Sequence, residues 1–518
     1  MLEAGTVSLT LGACQGILAT EQSARPEQPD QEATTAPDTS SQEAEVATAP
    51  TDSASEPTQD STTTLVGWAV RDFTPQRPAM IDGQMYVRIG RDAVDPLTAT
   101  ALALEGSGPT ARVIFVSCDI AMVSDELHEA VRARVRERLP EFPEDAVIMT
   151  ATHTHDGPVI MDGVYPHPRG NVMTAGEALD WVAEQAADAA VEAWEQRVPR
   201  LMGRAFGHAV VGHNRRAVYT NGLAMMYGDT NRADFSHIEG YEDHSMDMLF
   251  VWETDGRLSG IALAIPCPAQ VEESLEQFSA DFWHEIRIDL RRRFGEHLHV
   301  LPLCGAAGDQ SPHFLLYGTQ EAEMRHRRGV TERQEIAERV GDGVERALEC
   351  TQPPATGAMP MVHRAGRLTF SRRRITLEER NHAQSEYEAV IERGEPLDLW
   401  WPKRLKDVMD RFDRDEPMES VEAELHAVRI GDVALVTTPF ELFLDYGLQI
   451  KARSPAAQTL VVQLAGGPGF YLPTERAIQG GDYSAHPAMA PVGGEAGREL
   501  VEAALAAIYD LSTSQDEG

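Results

Sequence analysis

The chain has 518 residues, of which 42% are hydrophobic, and this is enough for one large domain or two medium ones with a real core. Its net charge of −37 argues against nucleic acid and anionic lipid surfaces as partners. The five cysteines are widely scattered without a Cys-x-x-Cys pair, which argues against a disulfide framework. No run of 18 apolar residues occurs, so no transmembrane helix is expected.

Residues 1–16 contain a candidate lipoprotein signal, because segment 11–14, ending at Cys14, resembles a bacterial lipobox. The stretch before it is short, lacks Lys and Arg and carries Glu3, whereas an ordinary export signal begins with a basic region. The alternative is a random apolar stretch. The lipobox reading predicts an exported protein, either a cell-envelope lipoprotein with a lipid anchor at Cys14 or a secreted one. Mass spectrometry of the native N-terminus without diacylglyceryl on Cys14 would refute the anchor.

Residues 17–63 favour the lipoprotein interpretation. They contain ten acidic residues, only Arg25 as a base, and no aromatic residue. Such a segment buries too little apolar surface to offset its chain entropy, so it is predicted to be a disordered acidic linker. A linker that follows a lipid-modified cysteine would hold a folded domain away from a membrane.

From residue 65 to about 510, apolar strands alternate with amphipathic helices, the latter marked by stripes such as Leu127, Val131 and Val135 after a Ser124 cap. This pattern predicts an α/β fold, with a mixed sheet layered with helices in a single large domain over 64–512. Residues 371–424 are charged and helical and look like an insertion over one face. The predicted strands are 113–116, 146–149, 248–251, 261–265, 298–303, 428–430, 433–436 and 460–464, and the predicted helices are 126–139, 177–194, 282–294 and 495–508.

Unusual polar positions follow five of the predicted strands. In α/β sheets ligands bind outside the carboxyl ends of strands, so these residues are expected to share one cleft. They are His153 with His155, Cys267, Asp309, Glu441 and Tyr471.

His153 and His155 lie two residues apart, so in extended backbone both side chains would point to the same face. A His-x-His pair is a frequent metal-binding or proton-transfer element. The alternative is two hydrogen-bonded loop histidines. With Glu441 and Tyr471 available as partners, the functional interpretation is favoured.

The other candidates are ambiguous on their own. Glu441 stands among apolar residues, so it is either a surface carboxylate, a buried and paired one, or a ligand. Tyr471, in a glycine-rich loop, would also fit a packing role. On spacing alone, Asn214-Arg215-Arg216 is best interpreted as a solvated basic turn.

Residues 150–158 read Thr-Ala-Thr-His-Thr-His-Asp-Gly-Pro, which resembles the Thr-His-Thr-His-Ser-Gly-Pro signature of the neutral/alkaline non-lysosomal ceramidases. Further segments resemble that family in the same order, and their shared order is more specific than any one of them. The resemblance covers roughly residues 65–490. The segments are Asn214-Arg215, Ser279-Ala280-Asp281, Gly308-Asp309-Gln310-Ser311-Pro312, Pro439-Phe440-Glu441, and Phe470-Tyr471-Leu472-Pro473-Thr474 followed by Tyr483.

The resemblance implies a zinc amidase acting on ceramide-like N-acyl amides. Carried over by position, the Zn²⁺ ligands would be His153, Glu441 and Tyr471, together with a further residue discussed next. His155 would transfer a proton. Arg215 and Tyr483 would hold the substrate or the developing oxyanion, and Asp309 is a further catalytic candidate.

Two departures from the family pattern stand out. The family's second zinc histidine belongs to a His-Pro pair, whereas this chain has Cys267-Pro268. Three readings follow: a His/Cys/Glu/Tyr zinc site with Cys267 as thiolate, a site for another metal, or no metal and a different role for Cys267. In addition, the residues after Tyr483 are too few for the family's C-terminal immunoglobulin-like domain, so none is expected.

Three functions remain open at this point. The first is a zinc amidohydrolase of N-acylated lipids, and the second is a hydrolase of the same scaffold with a non-lipid glycoside or ester substrate. The third is a non-catalytic surface binding protein. An apolar groove leading to His155 would favour the first, and a polar, aromatic-lined pocket near Trp400 and Trp401 would favour the second.

Overall fold

The computed structural model describes residues 64–513 except 109, 355, 356, 358 and 415–419. The predicted signal segment, the anchor at Cys14 and the acidic linker lie outside the described residues. Within the described part of the chain, no helix is both long and apolar enough to cross a membrane.

Strands and helices alternate along the chain. The strands are β1 Leu65–Asp72, β2 Ala79–Ile81, β3 Arg88–Gly90, β4 Thr98–Glu105, β5 Arg112–Cys118, β6 Val147–Ala151, β7 Val198–Pro199, β8 Leu201–His208, β9 His213–Asn214, β10 Arg216–Tyr219, β11 Ala224–Met226, β12 Phe235–Ile238, β13 Ser245–Trp252, β14 Leu258–Ile265, β15 His299–Cys304, β16 Gln310–Ser311, β17 Met361–Ser371, β18 Ser420–Ile430, β19 Val433–Thr437, β20 Glu441–Leu442, β21 Gln458–Val462 and β22 Tyr471–Leu472. The helices are α1 Asp125–Arg138, α2 Ala175–Glu195, α3 Phe282–Phe294, α4 Gly318–Arg328, α5 Glu332–Glu349, α6 Leu377–Glu392, α7 Trp400–Arg414, α8 Leu444–Arg453, α9 Glu475–Gly480 and α10 Gly494–Thr513.

Three mixed sheets carry the fold. Sheet 1 has the strand order β6-β5-β4-β1-β7, sheet 2 has β15-β14-β13-β8, and sheet 3 has β17-β18-β19-β21. Each contains one parallel pair, β5 with β6, β14 with β15, and β19 with β21, while the other pairs are antiparallel. The predicted α/β class with a mixed sheet is therefore confirmed, although the chain divides its strands among several sheets.

The alternation of side chains along the strands explains how the sheets pack. On β4, Leu102 and Leu104 face a central apolar cluster that receives side chains from all three sheets, whereas Ala99, Ala101 and Ala103 face α1 and α2. Successive residues of a strand point to opposite faces, so an apolar residue at every position produces a strand buried on both sides. The other faces of sheets 2 and 3 pack against the clusters that contain α3 with α5 and α8 with α10.

Local signals place the helices where the pattern predicted them. The Ser124 side chain accepts a hydrogen bond from the Leu127 N–H and caps α1, as expected. Thr174 and Glu177 form a capping box at the start of α2. The small residues of α2 let the helix lie very close to sheet 1. A Cβ added at Gly67 of β1 would lie only 1.8 Å from the carbonyl oxygen of Ala193 in α2.

A buried ion pair joins the end of β5 in sheet 1 to helix α3. Asp119, which follows β5, accepts hydrogen bonds of 2.9 and 3.0 Å from Arg287 on α3. Both side chains are almost fully buried. We expect Asp119→Asn to lower the free energy of unfolding by about 3–5 kcal/mol, because it leaves a buried guanidinium unpaired. Urea unfolding measures the change.

The matched control for that substitution is the exposed pair of Arg453 and Glu502. Glu502→Gln is expected to leave the unfolding midpoint unchanged, since exposed ion pairs contribute little. Equal effects of Asp119→Asn and Glu502→Gln would contradict the assignment of a structural role to the buried pair.

Candidate active site

The predicted polar positions follow strands that belong to the three parallel pairs. His153 follows β6, Cys267 follows β14, Asp309 follows β15, and Glu441 and Tyr471 follow β19 and β21. A cleft of about 440 Å³ opens at this edge. Its lining includes six of the eight predicted site residues and leaves out Cys267 and Asp309. The six are His153, His155, Arg215, Glu441, Tyr471 and Tyr483.

His153 is fixed by its backbone and by its ring. Its φ of 63° lies in the left-handed region, which is uncommon for a residue other than glycine, so the pair with His155 is not extended as predicted. The ring Nδ1 donates to the Ala121 carbonyl, so Nε2 is the ring nitrogen that faces Glu441. Nε2 lies 3.3 Å from Glu441 Oε2. Burial opposes protonation of His153, but the nearby Glu441 carboxylate raises its pKa.

Glu441 and Tyr471 are held side by side, because β20 and β22 pair in parallel with these two residues in register. Both are buried, at 4% exposure each. Burial works to raise the pKa of Glu441, but His153 and Arg215 lower it, and the hydroxyl of Tyr471 bonds to the carboxylate. The carboxylate is therefore ionised. Its burial excludes the surface carboxylate that the sequence left open, so Glu441 is either a buried, paired carboxylate or a ligand.

Arg215 is buried in the floor of the cleft at 4% exposure. Its Nη2 donates 2.9 Å hydrogen bonds to the Gly308 carbonyl and to the Tyr471 hydroxyl. The neighbouring Arg216 is also buried and pairs with Glu239 at 2.7 Å. The interpretation of 214–216 as a solvated basic turn is therefore wrong, because each guanidinium finds internal partners that spacing alone does not reveal.

His155 reaches two polar side chains that the sequence did not single out. Gln270 Nε2 lies 2.6 Å from the ring Nε2, and Glu273 Oε2 lies 3.4 Å from Nδ1. Burial lowers the pKa of His155, with Glu273 opposing, so the ring is neutral near pH 7. If the amide donates to Nε2, the ring proton stands on Nδ1 and faces the carboxylate. Glu273 in turn lies 3.5 Å from His313.

Cys267 has a different environment from the other candidates. It is fully buried in the apolar cluster behind sheet 2, and its thiol donates to the Pro268 carbonyl at 3.4 Å. Burial raises the pKa of the thiol well above its usual range. In the described part of the chain, Cys267 does not join His153 and Glu441 in a group of donor atoms within 4.8 Å of one another.

Asp309 lies beneath the cleft and links two of its walls. Its Oδ2 accepts a hydrogen bond from Asn214 at 2.8 Å, and its Oδ1 accepts one from the Leu444 N–H at 2.9 Å. Gln463, which the sequence analysis did not identify, also links two segments, because its Oε1 accepts hydrogen bonds from the N–H groups of Ala307 and Leu442. Its place just after β21 was the only available signal.

Arg88 is a second buried residue that no motif marked. It pairs with Asp156 at 2.7 Å, and its other nitrogen donates to the carbonyls of Asp82 and His155. Next to it, Gly83 has a φ of 96°, and a Cβ there would lie 2.4 Å from the ring carbon Cγ of His155. This segment therefore fixes the backbone and the ring of His155.

The donor set fits a zinc ion with three protein ligands. His153 Nε2 and Glu441 Oε2 lie 3.3 Å apart, a distance typical of an imidazole–carboxylate contact, and a nitrogen and an oxygen so placed could both bind one ion. The Tyr471 hydroxyl completes the set. Three protein ligands with one open position are typical of catalytic zinc. The Cys267 thiol donates to Pro268 and does not belong to this group of donor atoms.

Comparison with known proteins finds no matching family model. A neutral ceramidase of Pseudomonas aeruginosa is 26% identical over 171 residues, which are 31% of this chain and 23% of that protein. The crystal structure of neutral ceramidase from Pseudomonas aeruginosa superimposes with a TM-score of 0.66 at 16% identity, over 88% of this chain and 75% of that one. A ceramidase complexed with C2 gives a TM-score of 0.63 at 13% identity, over 87% of this chain and 75% of that one.

The sequence alignment spans less than a quarter of the curated relative, whereas the structural match extends over most of the described residues. The two agree on one fold. The chain therefore has the fold of the neutral ceramidases, and the resemblance predicted from its ordered motifs is confirmed.

Proposed function

We propose that the chain is an exported, zinc-dependent amide hydrolase that cleaves N-acylated lipids of the ceramide type. The observation that carries the proposal is that Glu441 contacts both His153 and Tyr471 in a cleft whose lining also includes His155 and Arg215. The hydrolase fold supports the same reading.

The lining of the cleft includes Trp400, the feature named above for a glycoside substrate, but its many apolar side chains favour a lipid over a sugar. Apart from the polar residues at its floor, it is mostly apolar and contains five methionines. Methionine side chains are flexible and polarisable, so they adapt to the irregular surface of an acyl chain. The methionines are Met85, Met122, Met161, Met226 and Met489.

The residues of the floor have separable roles in this proposal. His153, Glu441 and Tyr471 would hold the metal, and the Ala121 carbonyl would keep the His153 ring in the required tautomer. When bound, zinc supplies Lewis acidity and a water whose pKa is lowered to about 7.

His155 is the proposed proton carrier. Its neutral ring accepts a proton from the attacking water, and Glu273 at 3.4 Å stabilises the imidazolium that results. The same proton is then available for the departing amine. Gln270 orients the ring before the reaction, and its amide must release Nε2 when that nitrogen takes the proton.

Arg215 and Tyr483 are proposed to stabilise the developing oxyanion. Arg215 is already oriented by Gly308 and Tyr471, so it needs no rearrangement when charge develops. Burial raises the pKa of Tyr483, so its phenol remains a hydrogen-bond donor. Asp309 is proposed to position Asn214 and the strand that bears Arg215, rather than to touch substrate.

Cys267 provides a test of the ligand set. We expect Cys267→Ala to leave the zinc content unchanged, because the buried thiol is directed to Pro268 and not to His153 and Glu441. Elemental analysis of purified, untagged protein measures the metal. Loss of zinc from this variant, in protein that remains folded by circular dichroism, would return Cys267 to the ligand set.

Gly83 provides a test of how closely His155 must be placed. Gly83→Ala is expected to lower kcat/KM by about 10²-fold, because its Cβ would push against the His155 ring. Gly163→Ala is the matched control: Gly163 has a φ of 81° but nothing within 4 Å of an added Cβ. Equal losses in the two variants would attribute the effect to backbone strain alone.

The proposed function is tested by a substrate comparison. The purified protein is assayed with N-acyl-sphingosine, a fatty acyl ester and an aryl glycoside, and product release is measured for each. Release of fatty acid from the amide at the highest kcat/KM supports the proposal. Preference for the ester or the glycoside would replace it by the second function considered above, and turnover of none of the three would favour a binding protein.

A further inference from the structure

A second group of side chains that could bind a metal ion lies outside the lining of the cleft, where α6 meets the segment after Tyr483. His382 and Glu386 are four residues apart on α6, so they share one face of the helix. His486 approaches them from the segment that follows Tyr483. In the described residues, these three are the one group of His, Cys, Asp or Glu donors that lie within 4.8 Å of one another.

We propose that His382, Glu386 and His486 form a second, non-catalytic site for a divalent transition-metal ion. Two imidazoles and one carboxylate suit Zn²⁺, Co²⁺ or Ni²⁺, whereas Ca²⁺ and Mg²⁺ prefer oxygen ligands only. This proposal stands independently of the chemistry proposed for the cleft.

His486 provides the second observation for this site. It is buried at 6% exposure, and its Nε2 has no hydrogen-bond partner. A buried ring nitrogen without a partner is costly, and a metal ligand role would satisfy it. The N–H of Ala488 donates to the other ring nitrogen, Nδ1, at 3.2 Å. Metal binding through Nε2 would require the ring proton to stand on Nδ1, and the hydrogen bond from Ala488 would then be lost.

The remaining two ligands are open to solvent on one side. His382 Nε2 lies 3.0 Å from Glu386 Oε1, and the two side chains are 60% and 33% exposed. A pair of this kind also occurs as a simple helix ion pair, which is why the convergence of His486 matters. Of the charges facing the group, Asp482 adds to its negative potential, whereas Arg373 is engaged by Glu379 and the Ala485 carbonyl.

The site would connect the insertion to the rim of the cleft. His486 ends the short turn that begins at Tyr483, and Trp401 of α7 contacts both rings, with centroid distances of 5.5 Å to His486 and 5.9 Å to Tyr483. A bound ion would therefore hold α6 against the segment that carries a proposed substrate-binding tyrosine. Cation binding here would order the rim without taking part in the reaction.

The test is a titration of chelator-stripped, untagged full-length protein with Co²⁺, followed by visible absorption and by elemental analysis. The wild-type protein is expected to bind about two ions per chain, and His382→Gln and Glu386→Gln about one. His326→Gln removes an exposed histidine elsewhere and is expected to bind as the wild type does. Mg²⁺ at the same concentration is expected not to compete.

A Glu441→Gln background separates this site from the cleft. In that background the single remaining ion is expected to disappear on adding His382→Gln. The ion is also expected to raise the Tm of the Glu441→Gln protein, but not of the double variant. If Glu441→Gln protein binds no ion, or if His382→Gln and Glu386→Gln bind as many ions as the wild type, the second site does not exist.

Discussion

Glu441→Gln is expected to abolish zinc binding in the cleft and to lower kcat on the order of 10³-fold or more. The amide has nearly the shape of the carboxylate but no charge. It would leave the Nε2 of His153, now 3.3 Å from Glu441 Oε2, without its anionic partner. Tyr471 bonds to this carboxylate and Arg215 faces it, so a neutral side chain at position 441 would also weaken these two interactions.

The control for that variant is Glu105→Gln. Glu105 is half-buried and pairs with Arg112 and Arg197, but it lies at the opposite end of β4 from the site. It is expected to retain both zinc and activity. Unchanged zinc content in Glu441→Gln protein would remove this residue from the ligand set, and wild-type turnover would reject its role entirely.

The second large effect is expected at Arg215. Arg215→Gln should lower kcat by about 10²–10³-fold, as is typical when an oriented donor to an oxyanion is removed. Arg215→Lys should not restore the rate, because Nη2 alone already serves Gly308 and Tyr471, and lysine has no second nitrogen left to donate to the oxyanion. Zinc content should stay at the wild-type level in both variants.

Separate measurements of KM and kcat identify the role of Arg215. A fall in kcat with little change in KM indicates stabilisation of the transition state. A rise in KM with unchanged kcat would show that Arg215 only binds the ground state of the substrate. Loss of zinc together with activity would instead indicate a structural role through Tyr471.

The order of the motifs and the periodicity of the strands were sufficient to predict the fold class. Strands and helices fall close to the expected positions, as β6 at Val147–Ala151 and α1 at Asp125–Arg138 show. The division into three sheets could not be predicted, because which faces pack together depends on distant side chains. Leu102 and Ala101, for example, are both simply apolar in the sequence but lie in different clusters.

The candidate site was predictable where side chains follow strand ends. Six of the eight predicted residues line the cleft. Arg215 is one of them, although the spacing of residues in the sequence did not indicate that it is buried. Residues that act on these from distant parts of the chain were missed. Glu273 and Gln270 meet His155 across more than a hundred residues of chain, and Arg88 reaches its carbonyl from a segment without any motif.

Cys267 is a position whose role the sequence pattern alone does not decide. It follows the right strand and replaces a zinc histidine of the family pattern, yet its thiol lies in the apolar cluster behind sheet 2. A ligand position in a motif fixes where the backbone passes, whereas burial and side-chain direction decide whether the atom reaches the metal.

The most direct test of the central proposal is hydrolysis of N-acyl-sphingosine by chelator-stripped protein, before and after zinc is restored. The proposal predicts no release of fatty acid from the stripped protein, recovery of the rate when zinc is added back, and no recovery in Glu441→Gln protein. Full hydrolysis by protein shown by elemental analysis to lack zinc would contradict it.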